Sequence, residues 1–496
     1  NEIGIRLRAT QQNPSVLPAE SLYAIEHDTM DTTFRSMYQG LYIYLSARKE
    51  RRDLLLSQRP PRFDESLDSM ISRSEDDFTR IALKAKAAQD YFLLIGPPGT
   101  GKTSCALKKM VETFHADKDA QILLLSYTNR AVDEICKSLA SIAPAVDFIR
   151  VGSELSCDEA YRGHLIENEL SSCNRRSEVY ERIRNCRIIV GTVAAISGKP
   201  ELFCLKHFDV AIIDEATQIL EPQLLGILCA RGEDGKDAID KFVLIGDHKQ
   251  LPAVVQQNTE QSAIYDESLL SIGLTNLKDS LFERLYRNCT ATVHRSYDML
   301  CRQGRMHPEV ALFANRAFYG GRLIPVGLPH QIESSDTICR LAFYPSVPEK
   351  AGASAKINYS EARIVADLAA RIYEDHQTDF DESRTLGIIT PYRSQIALIK
   401  KEIESLGIPA LNRILVDTVE RFQGSERDVI IYSFCVNYPY QLKFLSNLTE
   451  EEGVLIDRKL NVALTRARKQ MFITGVPELL ERNPLYKSLL KLIESF

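Results

Sequence analysis

The chain repeats one unit, in which a short apolar run is followed by a polar turn and then by a stretch with helical spacing. Apolar runs without polar alternation are typical of strands buried on both faces of a parallel sheet. The runs form two series, 92–95, 122–125, 188–190, 210–213 and 242–245, then 386–389, 414–416, 429–432 and 471–473. We therefore predict an α/β fold with two doubly wound parallel-sheet lobes in tandem.

The length also requires more than one core, because the 496 residues exceed the roughly 250 to 300 residues at which one core stops growing. We predict a first lobe over residues 76–287 and a second over 288–496. Residues 1–75 are predicted to be an accessory segment, with strand-like alternation at 3–7 and helical spacing over 34–45. Since strand-like alternation begins at once after Asn1, we interpret the start as a point inside a longer chain.

Composition excludes some classes of protein. No apolar run approaches the roughly 20 residues that span a bilayer, so no membrane protein is predicted. The eleven cysteines contain no CxxC pair, which favours free thiols in a reducing intracellular compartment. The net charge of −6 argues against coating nucleic acid through overall positive charge, so any contact with nucleic acid must be local.

Residues 96–103 read GPPGTGKT, between an apolar run and a helical stretch that starts at Ser104. In that context the glycines let backbone N–H groups and a helix N-terminus face phosphate oxygens. Lys102 would neutralise the β and γ phosphates, and Thr103 would be a ligand of Mg²⁺. Gly99, Thr100 and Gly101 would complete the loop. The pattern predicts a site for a nucleoside triphosphate.

Two acids and an amide follow neighbouring runs. Asp214 and Glu215 end the run 210–213, so their carboxylates are predicted to emerge at the carboxyl edge of the sheet beside the phosphate loop. Asp214 suits Mg²⁺, and Glu215 can activate water. Gln250, in GDHKQLP after the next run, is placed to sense the γ-phosphate.

Hydrolysis also needs positive charge opposite the phosphate loop. Arg305, Arg466 and Arg468 of the second lobe could supply it as arginine fingers. Each arginine taken alone would more often be a surface ion pair, so the prediction depends on the surrounding motifs.

Together these motifs resemble those of the superfamily 1B helicases related to the nonsense-mediated decay helicase and the replication nuclease-helicase. The resemblance covers residues 92–475, and its motifs are, in order, GPPGTGKT, SYTNRAVDE, VGTVAAIS, DEATQ, GDHKQLP, GRMHP, ITPYRSQ, VDTVERFQGSERD and LNVALTRAR.

The resemblance implies two RecA-like lobes with ATP in their cleft, single-stranded nucleic acid across both, and movement from 5′ to 3′. It implies that Asp214 is a metal ligand, Glu215 the general base and Gln250 the γ-phosphate sensor. Arg305 and Arg466 become the fingers, while Arg468 stands where relatives carry Lys. Gly424 and Glu426 are implied to lie near the nucleotide.

The resemblance further implies contacts to the nucleic-acid strand from hydroxyl, amide and aromatic side chains. These belong to Thr128, Asn129, Thr192, Thr390, Tyr392 and Thr418. Short polar groups suit phosphate oxygens, and Tyr392 could stack on a base. Thr or Asn after a strand can also simply cap the next helix.

The chain departs from the family at two positions. Relatives carry an adenine-reading Gln before the phosphate loop, whereas residues 74–81 offer Phe78 and Thr79. Relatives also carry a Tyr before RMHP, where this chain has Gly304. The motifs therefore predict the phosphate contacts but not a strict choice of ATP over other triphosphates.

We expect a helicase or translocase that acts on DNA, because residues 26–28 and 51–56 look more like the replication nuclease-helicases. An RNA helicase is the nearer alternative, since the same motifs serve both substrates. A nucleotide-operated switch that remodels protein partners without unwinding is the alternative from another class. No D…ExK constellation predicts a nuclease within these residues.

Overall fold

The computed structural model describes residues 32–292, 294–333, 338–349, 354–451 and 453–495. Two parallel sheets with helices on both faces dominate the molecule, so the predicted α/β fold with two tandem lobes is confirmed. The strand expected at residues 3–7 and the segment 26–28 lie outside the described residues. No helix that the structure describes has the length and apolar character needed to cross a bilayer.

The first lobe is built on a seven-stranded sheet with the order β3-β4-β2-β5-β6-β1-β7, and every pair is parallel. Its strands are β1 Tyr91–Ile95, β2 Ile122–Ser126, β3 Phe148–Val151, β4 Ile188–Thr192, β5 Phe208–Ile213, β6 Ile239–Gly246 and β7 Tyr297–Met299. β1, β2 and β4 are buried along their whole length because helices cover both faces.

The second lobe is built on a five-stranded parallel sheet with the order β10-β16-β13-β11-β12. Two small two-stranded ladders, β8 with β9 and β14 with β15, accompany it. The strands are β8 Arg302–Gln303, β9 Ile324–Pro325, β10 Leu341–Pro345, β11 Leu386–Ile389, β12 Leu415–Asp417, β13 Arg427–Ser433, β14 Leu448–Glu451, β15 Val454–Asp457 and β16 Ala467–Gly475.

Helices connect the strands and cover the sheets. Up to the end of the first sheet they are α1 Thr32–Ser46, α2 Lys49–Leu55, α3 Asp68–Arg73, α4 Asp77–Ala87, α5 Lys108–His115, α6 Asn129–Ala140, α7 Ile166–Glu169, α8 Arg176–Asn185, α9 Val193–Ser197, α10 Glu201–Leu205, α11 Glu221–Leu228, α12 Thr259–Ser262, α13 Glu267–Ser271 and α14 Leu281–Ala291. Beyond it they are α15 Pro308–Tyr319, α16 Pro329–Ile332, α17 Tyr359–Asp375, α18 Arg393–Ser405, α19 Val419–Phe422, α20 Leu442–Leu445, α21 Arg458–Leu464, α22 Pro477–Leu480 and α23 Pro484–Glu494.

The chain leaves the first lobe later than the boundary expected at residue 288. β7 pairs with β1 through Leu93 opposite Tyr297, so the first sheet extends to Met299. α14, which crosses that expected boundary, packs on the first lobe and buries Phe282 and Leu285 in its core. The apolar face of α14 therefore keeps this helix in the first lobe.

The helix expected over residues 34–45 is present as α1, but its packing differs from a simple apolar stripe. Gly40 faces α11 so closely that an added Cβ would lie 2.0 Å from the carbonyl oxygen of Pro222. Backbone therefore packs on backbone at Gly40, while Phe34 and Tyr38 remain exposed. Spacing predicted the helix correctly but not its buried face.

Candidate nucleotide site and nucleic-acid surface

The phosphate loop lies between β1 and a helical segment that begins with a π-helical turn at Lys102–Leu107. Gly99 and Gly101 have φ values of +73° and +75°, a left-handed conformation that favours glycine. At Gly96 an added Cβ would lie 2.0 Å from Cγ of Lys102, so the lysine side chain folds back over the loop. The loop is therefore curled with its lysine held against it.

Asp214 and Thr103 meet where β5 ends. Thr103 Oγ1 donates a hydrogen bond to Oδ2 of Asp214, which is buried. Burial raises the pKa of Asp214 to about 6, and the Glu215 carboxylate acts in the same direction. Two adjacent hard oxygen donors are the ligands that Mg²⁺ prefers, so the residues present fit this ion.

Glu215 is held beside the phosphate loop by two partners. Its Oε1 lies 3.5 Å from Lys102 Nζ, and its Oε2 accepts a hydrogen bond of 2.9 Å from Gln218 Nε2. Burial acts to raise the pKa of Glu215, but Lys102 and Gln218 outweigh it and keep the pKa below its ordinary value. Its φ of +54° is unusual for a side chain with a Cβ, and such backbone positions cluster at functional sites. Glu215 is therefore ionised, and an unusual backbone conformation places its carboxylate beside Lys102.

The second lobe contacts the first through Gln250. Arg466 Nη2 donates to Gln250 Oε1 at 3.1 Å, and Gln250 Nε2 donates to Asp247 Oδ2 at 2.7 Å. Arg466 is 2% exposed. Burial, reinforced by nearby Arg305, lowers the pKa of Arg466 to about 9, so it stays charged at neutral pH. The predicted sensor and one predicted finger are thus in direct contact.

Arg305 also lies against the phosphate loop. The Gly304 N–H donates to the Gly99 carbonyl at 2.8 Å, which places Arg305 beside the loop. Arg305 Nε donates to Glu426 Oε2 at 2.5 Å. Burial acts to raise the pKa of Glu426, but Arg305 outweighs it and the pKa is lowered. Arg305 and Glu426 are therefore brought together at the cleft.

The other two second-lobe predictions are placed differently. Gly424 has a φ of +77°, and its carbonyl accepts a hydrogen bond of 3.3 Å from Arg130 Nη2 of the first lobe. Arg468 Nη1 donates to Asp428 Oδ1 at 3.2 Å, and its Nε lies 3.7 Å from Glu426. Arg468 thus pairs with acids of its own lobe rather than with Gln250.

Two further residues join the lobes and were not predicted. The Tyr319 hydroxyl donates to Asp247 Oδ2 at 2.8 Å and accepts from Asn461 Nδ2 at 2.8 Å. Asn461 Nδ2 also donates to the Lys249 carbonyl at 2.7 Å. Asn461 lies within LNVALTRAR, which offered a signal, whereas Tyr319 ends an ordinary apolar helix that offered none.

The predicted strand contacts lie at the carboxyl ends of strands in both lobes. Thr128 and Thr192 cap helices, because their Oγ1 atoms accept hydrogen bonds from Ala131 and Ala195 at 3.2 and 3.1 Å. Each hydroxyl keeps its own hydrogen as a donor. Thr390 follows β11, and its buried Oγ1 has no hydrogen-bond partner within the described residues.

The other three predicted strand contacts are partly exposed. Asn129 is the first residue of α6, and Thr418 precedes α19 without a side-chain cap hydrogen bond. Tyr392 is partly buried, and its hydroxyl accepts a hydrogen bond from Gln441 Nε2 at 3.2 Å. The carboxyl edges of both sheets therefore carry the predicted groups.

The two positions where the chain departs from the family, Phe78 and Gly304, lie near the phosphate loop. Phe78 lies against the phosphate loop, with Cζ 3.5 Å from the position of a Cβ on Gly101. At Gly304 an added Cβ would lie 3.2 Å from Leu328 Cδ1, so an aromatic side chain there would require neighbouring atoms to move. The close approach of Arg305 depends instead on Gly99, where an added Cβ would lie 2.4 Å from Cβ of Arg305.

Comparisons with known proteins agree with this arrangement. Two models described as AAA domain match the chain, one over residues 73–179 and 166–258 and the other over 277–478. The chain is similar to the DNA replication ATP-dependent helicase/nuclease DNA2 of Gallus gallus, at 28% identity over 96% of this chain and 45% of that protein. It is also similar to the DNA replication ATP-dependent helicase/nuclease JHS1 of Arabidopsis thaliana, at 29% identity over 99% of this chain and 36% of that protein.

A third relative is covered more completely. The DNA polymerase alpha-associated DNA helicase A of Saccharomyces cerevisiae is 24% identical over 92% of this chain and 73% of its own length. By contrast, the chain spans less than half the length of the DNA2 and JHS1 relatives. Its motifs, its two lobes and these similarities agree, and the chain belongs to the superfamily 1 helicases related to DNA2.

Proposed function

We propose that the chain is an ATP-driven helicase that moves from 5′ to 3′ on single-stranded nucleic acid, with DNA favoured over RNA. The contact between Arg466 and Gln250 carries this proposal, because it completes the nucleotide site with charge from the second lobe. A site divided between two lobes can convert the loss of a γ-phosphate into relative motion of those lobes.

The placement of the side chains supports the following proposed chemistry. Backbone N–H groups of the phosphate loop and Lys102 bind the phosphates, while Glu215 accepts the proton of the attacking water. Thr103 and Asp214 would hold Mg²⁺, which supplies neutralising charge on the β and γ phosphates. Arg305 and Arg466 stabilise the negative charge that develops on the transferred phosphoryl group.

The loop that carries Gln250 connects the nucleotide site to the second lobe. Asp247 accepts hydrogen bonds from Gln250 and Tyr319, and Leu251 packs into the core of the second lobe. When Gln250 loses its phosphate partner, its bonds to Asp247 and Arg466 are free to rearrange. Motion therefore starts at a contact that both lobes share.

The nucleic-acid track is proposed along the carboxyl edges of both sheets. Hydroxyl groups there bind phosphates without reading bases, which suits a motor that must accept any sequence. DNA is favoured because one similar protein is named a DNA helicase and another a DNA replication helicase/nuclease. The free state of all eleven cysteines further supports a reducing intracellular compartment.

The deciding experiment compares ATP turnover with single-stranded DNA and with RNA of the same sequence. We expect stimulation by DNA to exceed stimulation by RNA. Stronger stimulation by RNA would support an RNA helicase. No stimulation by either strand would reject the motor and favour a nucleotide-operated switch that remodels proteins.

The direction of movement is tested with duplexes that carry one single-stranded tail. We expect strand displacement from a 5′ tail. Efficient displacement from a 3′ tail alone would reject the proposed direction while leaving the motor intact.

Lys102→Ala is expected to weaken ATP binding by at least about tenfold and to abolish turnover, because the loop loses the charge that neutralises the β and γ phosphates. Binding of a fluorescent ATP analogue and phosphate release measure the two effects. Lys118→Ala, at an exposed lysine of the same lobe, is the matched control and should behave as the unaltered chain. Normal ATP binding by Lys102→Ala would contradict the assignment.

Tyr319→Phe removes two buried hydrogen bonds, the one donated to Asp247 and the one accepted from Asn461. The base pairs separated per ATP are expected to fall by at least roughly a factor of five, the equivalent of about 1 kcal/mol for one such bond. The change leaves Asp247 without its partner in the second lobe. Simultaneous assays of strand displacement and phosphate release measure the ratio.

Tyr486→Phe is the matched control, because the Tyr486 hydroxyl donates to Asp457 at 2.8 Å entirely within the second lobe. Both variants should lose stability to a similar extent. If both change the ratio equally, the effect comes from stability and Tyr319 does not couple the lobes.

A further inference from the structure

A loop of the second lobe presents aromatic side chains to solvent. It follows β13 and leads through Tyr438 and Tyr440 to Phe444 on α20. The Tyr438 and Tyr440 rings stack with centroids 5.8 Å apart and planes 14° from parallel. Tyr440 is 54% exposed and Phe444 is 71% exposed. Open aromatic faces of this kind offer stacking surfaces to a planar partner.

Buried amides hold this loop in place. Asn437 Nδ2 donates to the Ile357 carbonyl at 2.7 Å, and its Oδ1 accepts from Asn358 Nδ2 at 2.9 Å. Gln441 Nε2 donates to the Ala355 carbonyl at 2.7 Å. All three amide side chains are buried. Since a satisfied buried network fixes its geometry, the aromatic rings stand on a rigid base.

The loop is continuous with the proposed nucleic-acid track. Gln441 Nε2 also donates to the Tyr392 hydroxyl at 3.2 Å, and Tyr392 is one of the proposed strand contacts. β11 and β13 are neighbours in the sheet, so the segments that follow them emerge side by side at its carboxyl edge. A strand in contact with Tyr392 therefore lies next to the aromatic loop.

The surroundings of the loop also carry positive charge suited to a phosphate backbone. Lys356, Arg393 and Lys443 are exposed, and within the described ranges none of them pairs with a carboxylate. Lys356 lies between the two residues whose carbonyls accept from Asn437 and Gln441, and Arg393 follows Tyr392. Two acids lie nearby: Glu349 accepts a hydrogen bond from the Tyr359 N–H, and the buried Glu361 accepts one from the Cys435 N–H.

We propose that Tyr440 and Phe444, supported by Tyr438, form a stacking surface for unpaired bases of the nucleic-acid strand that passes Tyr392. Every base has a π-face, so stacking holds a strand without selecting its sequence. The neighbouring cations would follow the phosphates of the same nucleotides. This site adds base stacking to the proposed nucleic-acid track, and the proposal rests on the proposed function.

The test measures binding of two labelled oligonucleotides by fluorescence anisotropy. One is a single strand of mixed sequence, and the other has the same length but carries abasic sugars in place of its central nucleotides. The chain should bind the complete strand at least about tenfold more tightly, as expected for the loss of one or two stacked bases. The double variant Tyr440→Ala/Phe444→Ala should lose this difference while binding the abasic strand as before.

Tyr265→Ala is the matched control, because Tyr265 is 81% exposed in the first lobe and should leave the difference intact. Tyr440→Phe keeps the aromatic face and should also retain it. A double variant that still prefers the complete strand, or that binds both strands equally more weakly, would overturn the stacking surface alone. Failure of the unaltered chain to bind either strand would instead reject the proposed function.

Discussion

Glu215→Gln is expected to lower the rate constant of ATP hydrolysis by a factor on the order of 10² to 10⁴ while leaving ATP binding intact. The amide keeps the size of the side chain and can still bond Gln218, but it cannot accept a proton from water. Because the pKa of Glu215 is held below its ordinary value, the carboxylate is ready to accept that proton at neutral pH.

Phosphate release with saturating single-stranded DNA and binding of a fluorescent ATP analogue would separate chemistry from binding. Glu267→Gln makes the same change at an exposed position of α13 and should not alter either value. Normal hydrolysis by Glu215→Gln would mean that another group takes the proton. A parallel loss of ATP binding would mean that Glu215 acts mainly through its contact with Lys102.

Arg466→Ala should lower the hydrolysis rate constant by a factor on the order of 10³ or more, as for other arginine fingers. The loss has two sources, because the side chain supplies transition-state charge and also holds Gln250. Arg466→Lys should recover little of it, since lysine keeps the charge but not the planar fork of donors.

Arg468→Ala is the comparison that identifies the finger. Arg468 lies on β16, two residues after Arg466, but its guanidinium donates to Asp428 of its own lobe. We expect its effect on hydrolysis to be at least tenfold smaller, with melting temperatures of both variants recorded to exclude unfolding. If the two effects were equal, the finger role would not belong to Arg466 specifically.

The fold could be predicted from short uninterrupted apolar runs, and the missed strand β3 shows where that signal fails. β3 has the sequence FIRV, and Arg150 interrupts its apolar character. Arg150 is nonetheless buried, because its guanidinium pairs with Asp133 on α6. A charge that becomes acceptable only through a partner distant in sequence cannot be anticipated from the run itself.

In the nucleotide site too, some residues could be predicted from the sequence and others could not. The phosphate loop and the Asp214–Glu215 pair could be predicted because the residues needed are contiguous and follow buried strands. The contact of Tyr319 with Asp247 joins residues that are far apart in sequence and gives no local pattern. Thr128 and Thr192 lie where strand contacts were expected, yet their hydroxyls also cap helices, so sequence alone could not assign them one role.

The path of the chain from β7 to Gly304 determines how the second lobe can move. β7 is hydrogen-bonded beside β1, and the Gly304 N–H bonds the phosphate loop directly, so we expect the second lobe to turn about a point near the nucleotide. A rigid body that turns about one end moves least there and most at the opposite end. The parts of the second lobe farthest from the phosphates should therefore travel farthest.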